Sequence, residues 1–227
     1  MKILAFDTTN STLSVALLED QKILSKNTIF ESGKQSELLI PEIEKILTEN
    51  NIWYQELDLI AATNGPGSFT GVRIGLTVAK SLKIATNKPL ILINALEAIA
   101  FKHHLNRPFD KLRVKEGEEK GQIIFVAIDA KMDEFFIASF ESRNGKLEPI
   151  LESQLIKQED IKNFLPKENH LLCGSAKNII SQNETPHEEI VEADTVGLLA
   201  LEKFNRKDER DDDALYLRAP RITERKK

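Results

Sequence analysis

The sequence predicts an α/β protein of two lobes, each built on a β-sheet flanked by helices. Two regions each begin with adjacent strand-like segments and continue into alternating helical and strand-like segments. The residues between them are charged and poor in apolar side chains, as in the run KEGEEKG. We therefore predict an N-terminal lobe at residues 1–104, a charged loop or linker at 105–122 and a C-terminal lobe at 123–227.

In the first region, apolar runs bounded by turn-forming residues predict a hairpin followed by three further strands. These strands are expected at residues 3–6, 13–18, 23–29, 57–63 and 90–93. Apolar residues at helical spacing predict helices at residues 35–50, 70–86 and 95–103.

The second region repeats this kind of pattern, although it is not detectably a copy of the first in sequence. Strands are expected at residues 123–130, 134–140, 151–156 and 170–175. Helices are expected at residues 160–165 and 195–204, the latter with Asp194 as its N-cap. The final residues are locally basic, and we expect a solvated tail there.

Composition narrows the functional classes. The chain has 227 residues and a net charge of −5, which argues against a protein that grips nucleic acid over a broad basic face. Its single cysteine, Cys173, excludes an internal disulfide. No apolar run reaches the length of a membrane helix, and no signal peptide is evident. We expect a cytoplasmic protein that does not bind membranes.

The stretch NGPGSFTGVRIG, residues 64–75, follows an apolar strand and leads into a helix. Gly65 and Gly67 permit backbone angles that other residues avoid, and Ser68 or Thr70 could cap the helix. A helix N-terminus offers free N–H groups to an anion. The loop lacks the lysine of a P-loop, however, so a structural turn and a ligand loop remain equally open.

A second candidate for phosphate chemistry is the turn Asp7, Thr8 and Thr9 between the first two strands. An acidic side chain there could hold a magnesium-bound phosphate, and the hydroxyl groups could contact its oxygens. The same residue types are also ordinary turn formers, which is the simpler interpretation.

Small residues recur on the helix after the glycine loop. Gly71, Gly75 and Ala79 are four residues apart and therefore share one face. Glycine inside a helix costs about 1 kcal/mol relative to alanine, so close packing should offset it. That face could pack on the protein's own sheet or first helix, or it could dock another subunit.

The sequence predicts no metal site. None of the four histidines shows the spacing of a zinc or iron motif, and Cys173 has no motif around it. The adjacent His103 and His104 cannot share a helix face and are expected at a helix end.

Three stretches closely resemble the bacterial TsaB family, also called YeaZ: ILAFDTTNSTLSVALL, QSELLIPEIEKIL and NGPGSFTGVRIGLTVAKSL. The similarity extends to NALEAIA, FVAIDAKMDEFF and YLRAP, and so covers most of the chain. The resemblance implies a two-lobed fold of the actin, hexokinase and Hsp70 (ASKHA) type, each lobe a mixed β-sheet flanked by helices.

The resemblance also implies a function. Such proteins look like non-catalytic partners of TsaD, which forms N6-threonylcarbamoyladenosine at position 37 of tRNAs that read codons beginning with A. TsaE would join the same complex, and tRNA would be met only within it. No cofactor of its own is expected, apart from a nucleotide that could sit at the subunit interface. Alone, the protein could form a homodimer.

In this family the first two helices dock TsaD, which points here to residues 35–50 and 70–86. The expected partner-binding residues on these helices are Leu39, Ile43, Leu47, Gly71, Arg73, Gly75, Ala79 and Leu82. The expected vestigial phosphate loop comprises Asp7, Thr8, Thr9, Gly65, Gly67 and Ser68. No residue is expected to be catalytic.

Two rival hypotheses involve enzymes. The protein could be a phosphotransferase or ATPase of the same fold that uses Asp7 and the glycine loop, which predicts magnesium-dependent ATP turnover. A metallopeptidase is less favoured, because the sequence shows no metal-ligand pattern.

Overall fold

A computed structural model describes residues 1–106, 121–167, 170–176, 180, 189–208 and 213–217. The predicted loop at 105–122 falls almost entirely outside these residues, and the basic tail beyond residue 217 does so completely.

The first sheet has five strands in the order β3-β2-β1-β4-β5. They are β1 (Lys2–Asp7), β2 (Leu13–Glu19), β3 (Lys22–Ile29), β4 (Leu59–Gly65) and β5 (Leu90–Asn94). The first three strands form an antiparallel meander, whereas β4 pairs with β1 and β5 in parallel. The carboxyl ends of β1 and β4 therefore lie side by side, and the turn after β1 meets the glycine loop after β4.

The second sheet has four strands in the order β8-β7-β6-β9. They are β6 (Gln122–Asp129), β7 (Glu134–Arg143), β8 (Lys146–Lys157) and β9 (His170–Cys173). Here too three strands form an antiparallel meander and the last pairs in parallel with the first. The two sheets thus share a topology that the sequences of the two regions do not reveal.

Four helices lie between and beside these sheets in the described part of the chain. They are α1 (Gln35–Glu49), α2 (Phe69–Thr86), α3 (Ala95–Leu105) and α4 (Ala193–Arg206). The first two cover one face of the first sheet, and α4 packs on its other face. Helix α3 packs against α4 and against the second sheet.

The strands of the first sheet are apolar throughout because both faces of the sheet are buried. Along β1, Ile3 and Ala5 face α3 and α4, whereas Leu4 and Phe6 face α1 and α2. One cluster of buried side chains runs from the first sheet through α3 and α4 to the second sheet. Helix α4 belongs to the C-terminal region of the sequence, yet it packs on the first sheet. The lobe boundaries predicted from the sequence therefore stay predictions.

The predicted helices and strands are present, with shifted ends. Strand β4 begins two residues later than expected, and the helix expected at 160–165 is a 3-10 helix, Gln158–Asn163. The prediction of Asp194 as an N-cap was wrong. Glu192 occupies that position, and Asp194 lies in the first turn, where it pairs with Lys26 at 2.8 Å.

None of the helices in the described residues combines the length and apolar character needed to cross a membrane.

Candidate functional site

The β1–β2 turn and the glycine loop pack directly against each other. The backbone N–H of Ser68 donates to the carbonyl of Thr9 at 2.7 Å. The Thr8 hydroxyl donates to the carbonyl of Gly71 at 2.8 Å. Thr8 and Thr9 are both buried, so the turn occupies the concave side of the loop.

Glycine is required in this loop mainly because the turn approaches so closely. A Cβ on Gly67 would lie 2.3 Å from the Thr9 carbonyl oxygen, and one on Gly71 would lie 1.9 Å from that of Thr8. Only Gly65 needs the left-handed region, with φ of +109°. The glycines therefore accommodate the protein's own backbone.

Ser68 caps α2, which is one of the two alternatives, Ser68 or Thr70, that the sequence predicted. Its hydroxyl accepts a hydrogen bond from the N–H of Gly71 at 3.3 Å, and the N–H of Val72 donates to its carbonyl at 2.8 Å. The bond from Val72 is the first regular bond of the helix, and the side-chain cap satisfies the Gly71 N–H, one of the N–H groups that a helix N-terminus leaves free.

Asp7 is completely buried at the end of β1. Its Oδ1 accepts hydrogen bonds from the Thr9 N–H, the Thr9 hydroxyl and the Thr63 hydroxyl, at 3.2, 2.6 and 2.5 Å. Its Oδ2 is buried and has no partner among the described residues. Burial raises the pKa of this carboxyl, and the hydrogen bonds from Thr63 and Thr9 only partly oppose the shift.

Residues 213–217 lie across the other side of the loop. The N–H of Leu215 donates to the carbonyl of Asn64 at 2.8 Å, and the Asn64 amide donates to the carbonyl of Asp213 at 3.1 Å. The Leu215 carbonyl would lie 2.9 Å from a Cβ on Gly65. The loop is therefore held between the β1–β2 turn and this C-terminal segment.

Arg73 contacts aromatic rings of the chain itself. Its guanidinium carbon lies 3.7 Å from the centre of the Phe69 ring, a cation–π contact. Its Nε donates to the Tyr216 hydroxyl at 3.4 Å, and the Phe69 and Tyr216 rings are 5.3 Å apart. This cluster joins the start of α2 to the C-terminal segment.

The eight expected partner-binding residues divide into buried and accessible groups. Six are buried inside the lobe: Leu39, Ile43, Leu47, Gly71, Gly75 and Ala79. A Cβ on Gly75 would lie 2.5 Å from the Thr8 hydroxyl, so the small-residue face packs on the protein's own turn. Arg73 is exposed and Leu82 is half-buried. These six residues pack inside the lobe and position the helices, and their part in partner binding stays a prediction.

Other apolar residues of the same helices also reach the surface, and the sequence analysis named only Leu82 among them. Ile74 and Val78 form with Leu82 a half-buried row at four-residue spacing on α2, and Leu38 is half-buried on α1. Ile40 is 39% exposed. The sequence signal for these residues was apolar side chains repeating every four positions, beside the repeat that forms the buried face of the helix.

Comparison with known proteins agrees with this architecture. A family model described as TsaD, tRNA N6-adenosine threonylcarbamoyltransferase, matches residues 31–187. Among curated proteins, the tRNA threonylcarbamoyladenosine biosynthesis protein TsaB of Bacillus subtilis is 31% identical over 160 residues, 70% of this chain and 64% of that protein. TsaB of Escherichia coli is 30% identical, over 70% of this chain and 65% of that protein. The chain therefore spans slightly under two thirds of both relatives.

A solved structure shares the fold across nearly its whole length. YeaZ from Pseudomonas aeruginosa superposes with a TM-score of 0.75 at 22% identity, covering 95% of this chain and 99% of that one. This likeness confirms the predicted fold of two mixed β-sheets flanked by helices. The family model and the sequence matches show that the chain belongs to the TsaB (YeaZ) family.

Proposed function

We propose that this protein is a non-catalytic subunit in the synthesis of N6-threonylcarbamoyladenosine at position 37 of tRNA, and that it acts by binding TsaD. The names of its curated relatives place those proteins in this pathway. TsaE would join through the complex, and tRNA would be contacted only within it.

The observation that carries the non-catalytic assignment is the filling of the glycine loop by the protein itself. The Thr8 and Thr9 carbonyls lie where glycine Cβ atoms would be, and the Ser68 N–H is bonded to Thr9. A phosphate cradle needs such N–H groups directed at the anion. A nucleotide at an interface with TsaD would have to be held by surfaces other than this loop.

The proposed docking surface is the accessible side of α1 and α2. It includes the half-buried row Ile74, Val78 and Leu82, which an approaching helix could cover. The buried residues beneath keep this surface rigid, because Leu39, Ile43 and Ala79 lie in one core with the first sheet.

Co-purification with TsaD from the same organism tests the partnership and the surface together. Ser81 is exposed on α2, three residues after Val78, so Ser81→Arg places bulk and charge beside the apolar row without entering the core. We expect this change to weaken TsaD binding by roughly 100-fold. Gln55→Arg adds the same side chain at an exposed position outside both helices and should bind normally.

The outcomes separate the two parts of the proposal. Binding by wild type and Gln55→Arg but not by Ser81→Arg, with tRNA threonylcarbamoylation lost in parallel, supports both. Equal binding by all three proteins would show that the surface is wrong although the partnership stands. No binding and no effect of wild type on threonylcarbamoylation would overturn the proposal.

The same surface predicts self-association in the absence of TsaD, because burying the solvent-facing apolar row in an interface between two copies is favourable. We expect sedimentation equilibrium of the isolated protein to show a dimer that Ser81→Arg converts to monomer. A wild-type monomer at high concentration would contradict this.

The rival ATPase or phosphotransferase hypothesis keeps one supporting observation: the buried Oδ2 of Asp7 has no hydrogen-bond partner in the part of the chain that the structure describes. It predicts magnesium-dependent ATP turnover by the purified protein that Asp7→Ala abolishes. A peptidase would instead require chelator-sensitive proteolysis.

A further inference from the structure

Three side chains with different metal-binding chemistry meet at the end of α3. They are His103, Cys173 and Glu189, and their ligand atoms all lie within 4.8 Å of one another. His103 is in the last turn of α3, Cys173 ends β9, and Glu189 lies shortly before α4. The cluster therefore joins three segments that are far apart in the chain.

The three residues form an enclosed group with access from one side. Cys173 is fully buried, whereas the side chains of His103 and Glu189 are 26% and 16% exposed. The Nε2 of His103 contacts the Oε1 of Glu189 directly. An ion could therefore enter from the histidine and carboxylate side and reach the sulfur.

The carboxylate is held in place by the backbone. The N–H of Gly174 donates to Oε2 of Glu189 at 2.6 Å, which leaves Oε1 directed at the histidine. Gly174 has φ of +95°, and its Cβ would lie 2.2 Å from the Ala127 carbonyl oxygen, so this turn is specific to glycine. Outer hydrogen bonds of this kind orient ligands at protein metal sites.

We propose that His103, Cys173 and Glu189 bind a divalent cation, with Zn²⁺ as the preferred ion. Imidazole nitrogen, thiolate sulfur and carboxylate oxygen are the three donor types that zinc uses in proteins. Zinc bonds of about 2.0–2.3 Å place tetrahedral ligand atoms about 3.5 Å apart. The widest pair of the cluster therefore has to close by about 1 Å, while the contacting His103 and Glu189 atoms have to separate to admit the ion.

Charge is balanced in this site. The thiolate and carboxylate neutralise the two charges of the ion, and binding releases the proton of the Cys173 thiol. Lys102, the neighbour of His103 on α3, is paired with Glu192 at 2.7 Å. Three protein ligands leave a fourth position for water. The ion would fasten the end of α3 to β9 and to the chain that enters α4.

Cobalt titration of the full-length, chelator-treated protein tests the site. We expect one Co²⁺ per chain, with a thiolate-to-cobalt charge-transfer band and the strong visible absorption of tetrahedral cobalt, both removed by added Zn²⁺. His103→Gln and Glu189→Gln should each weaken binding at least about tenfold. Cys173→Ser should remove the charge-transfer band.

His170→Gln is the matched control, because His170 is an exposed histidine at the start of the same strand as Cys173. It should bind cobalt like wild type. Absence of the charge-transfer band in wild type, or a cobalt affinity that is unchanged in His103→Gln, would overturn the proposal.

X-ray absorption of the zinc-loaded wild type gives an answer that needs no variant to fold. We expect one sulfur at about 2.3 Å and nitrogen or oxygen neighbours at about 2.0–2.2 Å. A shell of light atoms without sulfur would refute the site. Neither result bears on TsaD binding.

Discussion

Asp7 lies where a carboxylate could hold a metal–phosphate complex, yet it is completely buried and bonded to Thr9 and Thr63. Burial raises the pKa of this carboxyl above its usual value of 3.8. The folded protein therefore keeps the Asp7 proton to higher pH than the unfolded chain does. As pH rises above 3.8 towards the folded pKa, the free energy of unfolding falls, because the unfolded chain ionises first.

Asp7→Asn should remove this part of the pH dependence, since an amide does not ionise. We expect the variant to gain stability relative to wild type as pH rises from about 4 to about 7. Urea denaturation of both proteins at several pH values measures the difference, in which all other titrating groups cancel. A difference that does not change with pH would show that Asp7 ionises alike in both states.

Gly71 is the position where the loop and the turn are closest. Gly71→Ala should lower the free energy of unfolding by about 2 kcal/mol or more, because its Cβ would meet the Thr8 backbone. This outweighs the gain of about 1 kcal/mol in helix propensity. Thr77→Ala, at an exposed position of the same helix, should stay within about 0.5 kcal/mol of wild type in urea denaturation.

Two separate segments of the chain contact the start of α2. The β1–β2 turn contacts it within the first sheet, and residues 213–217 contact it from the C-terminal end of the described chain. Neither contact is local in sequence. The loop's conformation therefore depends on segments that a motif search over residues 64–75 does not include.

Leu215→Pro should release the C-terminal segment, because it removes the N–H that donates to the Asn64 carbonyl. We expect a loss of about 1 kcal/mol or more and faster hydrogen exchange across residues 64–73, with β6 to β9 unchanged. Leu215→Ala keeps the N–H and serves as the control for the side chain. Equal exchange in both variants would mean that this hydrogen bond does not hold the loop.

Across the whole molecule, α3 and α4 connect the two sheets through one apolar core. Their burial on both sides makes independent unfolding of the sheets costly, because each sheet would expose the apolar faces of these helices. The Lys203–Glu97 ion pair at 2.7 Å also joins the two helices.

Leu199→Ala should therefore weaken both sheets together. Leu199 is 2% exposed in the shared core, and the truncation should cost about 2–5 kcal/mol. Hydrogen exchange should rise in β1 to β5 and in β6 to β9 alike. Ile161→Ala, in a cluster confined to the second sheet, should act mainly there. A response of only one sheet to Leu199→Ala would indicate two independent folding units.

Local patterns in the sequence were sufficient for the type and order of the helices and strands, because apolar periodicity and turn residues act within a few positions. They also located the glycine loop and the family resemblance, and they narrowed the helix cap to Ser68 or Thr70. They failed at Asp194, since the ion pair with Lys26 joins residues distant in the chain.

Only the tertiary structure decided what those patterns mean. The glycine pattern is compatible with a phosphate loop, but in the structure the backbone of Thr8 and Thr9 packs against Gly71 and Gly67. Two-sided burial placed Leu39, Ile43 and Ala79 inside the core and left Ile74, Val78 and Leu82 at the surface. His103, Cys173 and Glu189 share no sequence motif and meet only where α3, β9 and the entry to α4 converge. In each case the reason is the same: the outcome depends on contacts between segments far apart in the chain, which local patterns do not encode.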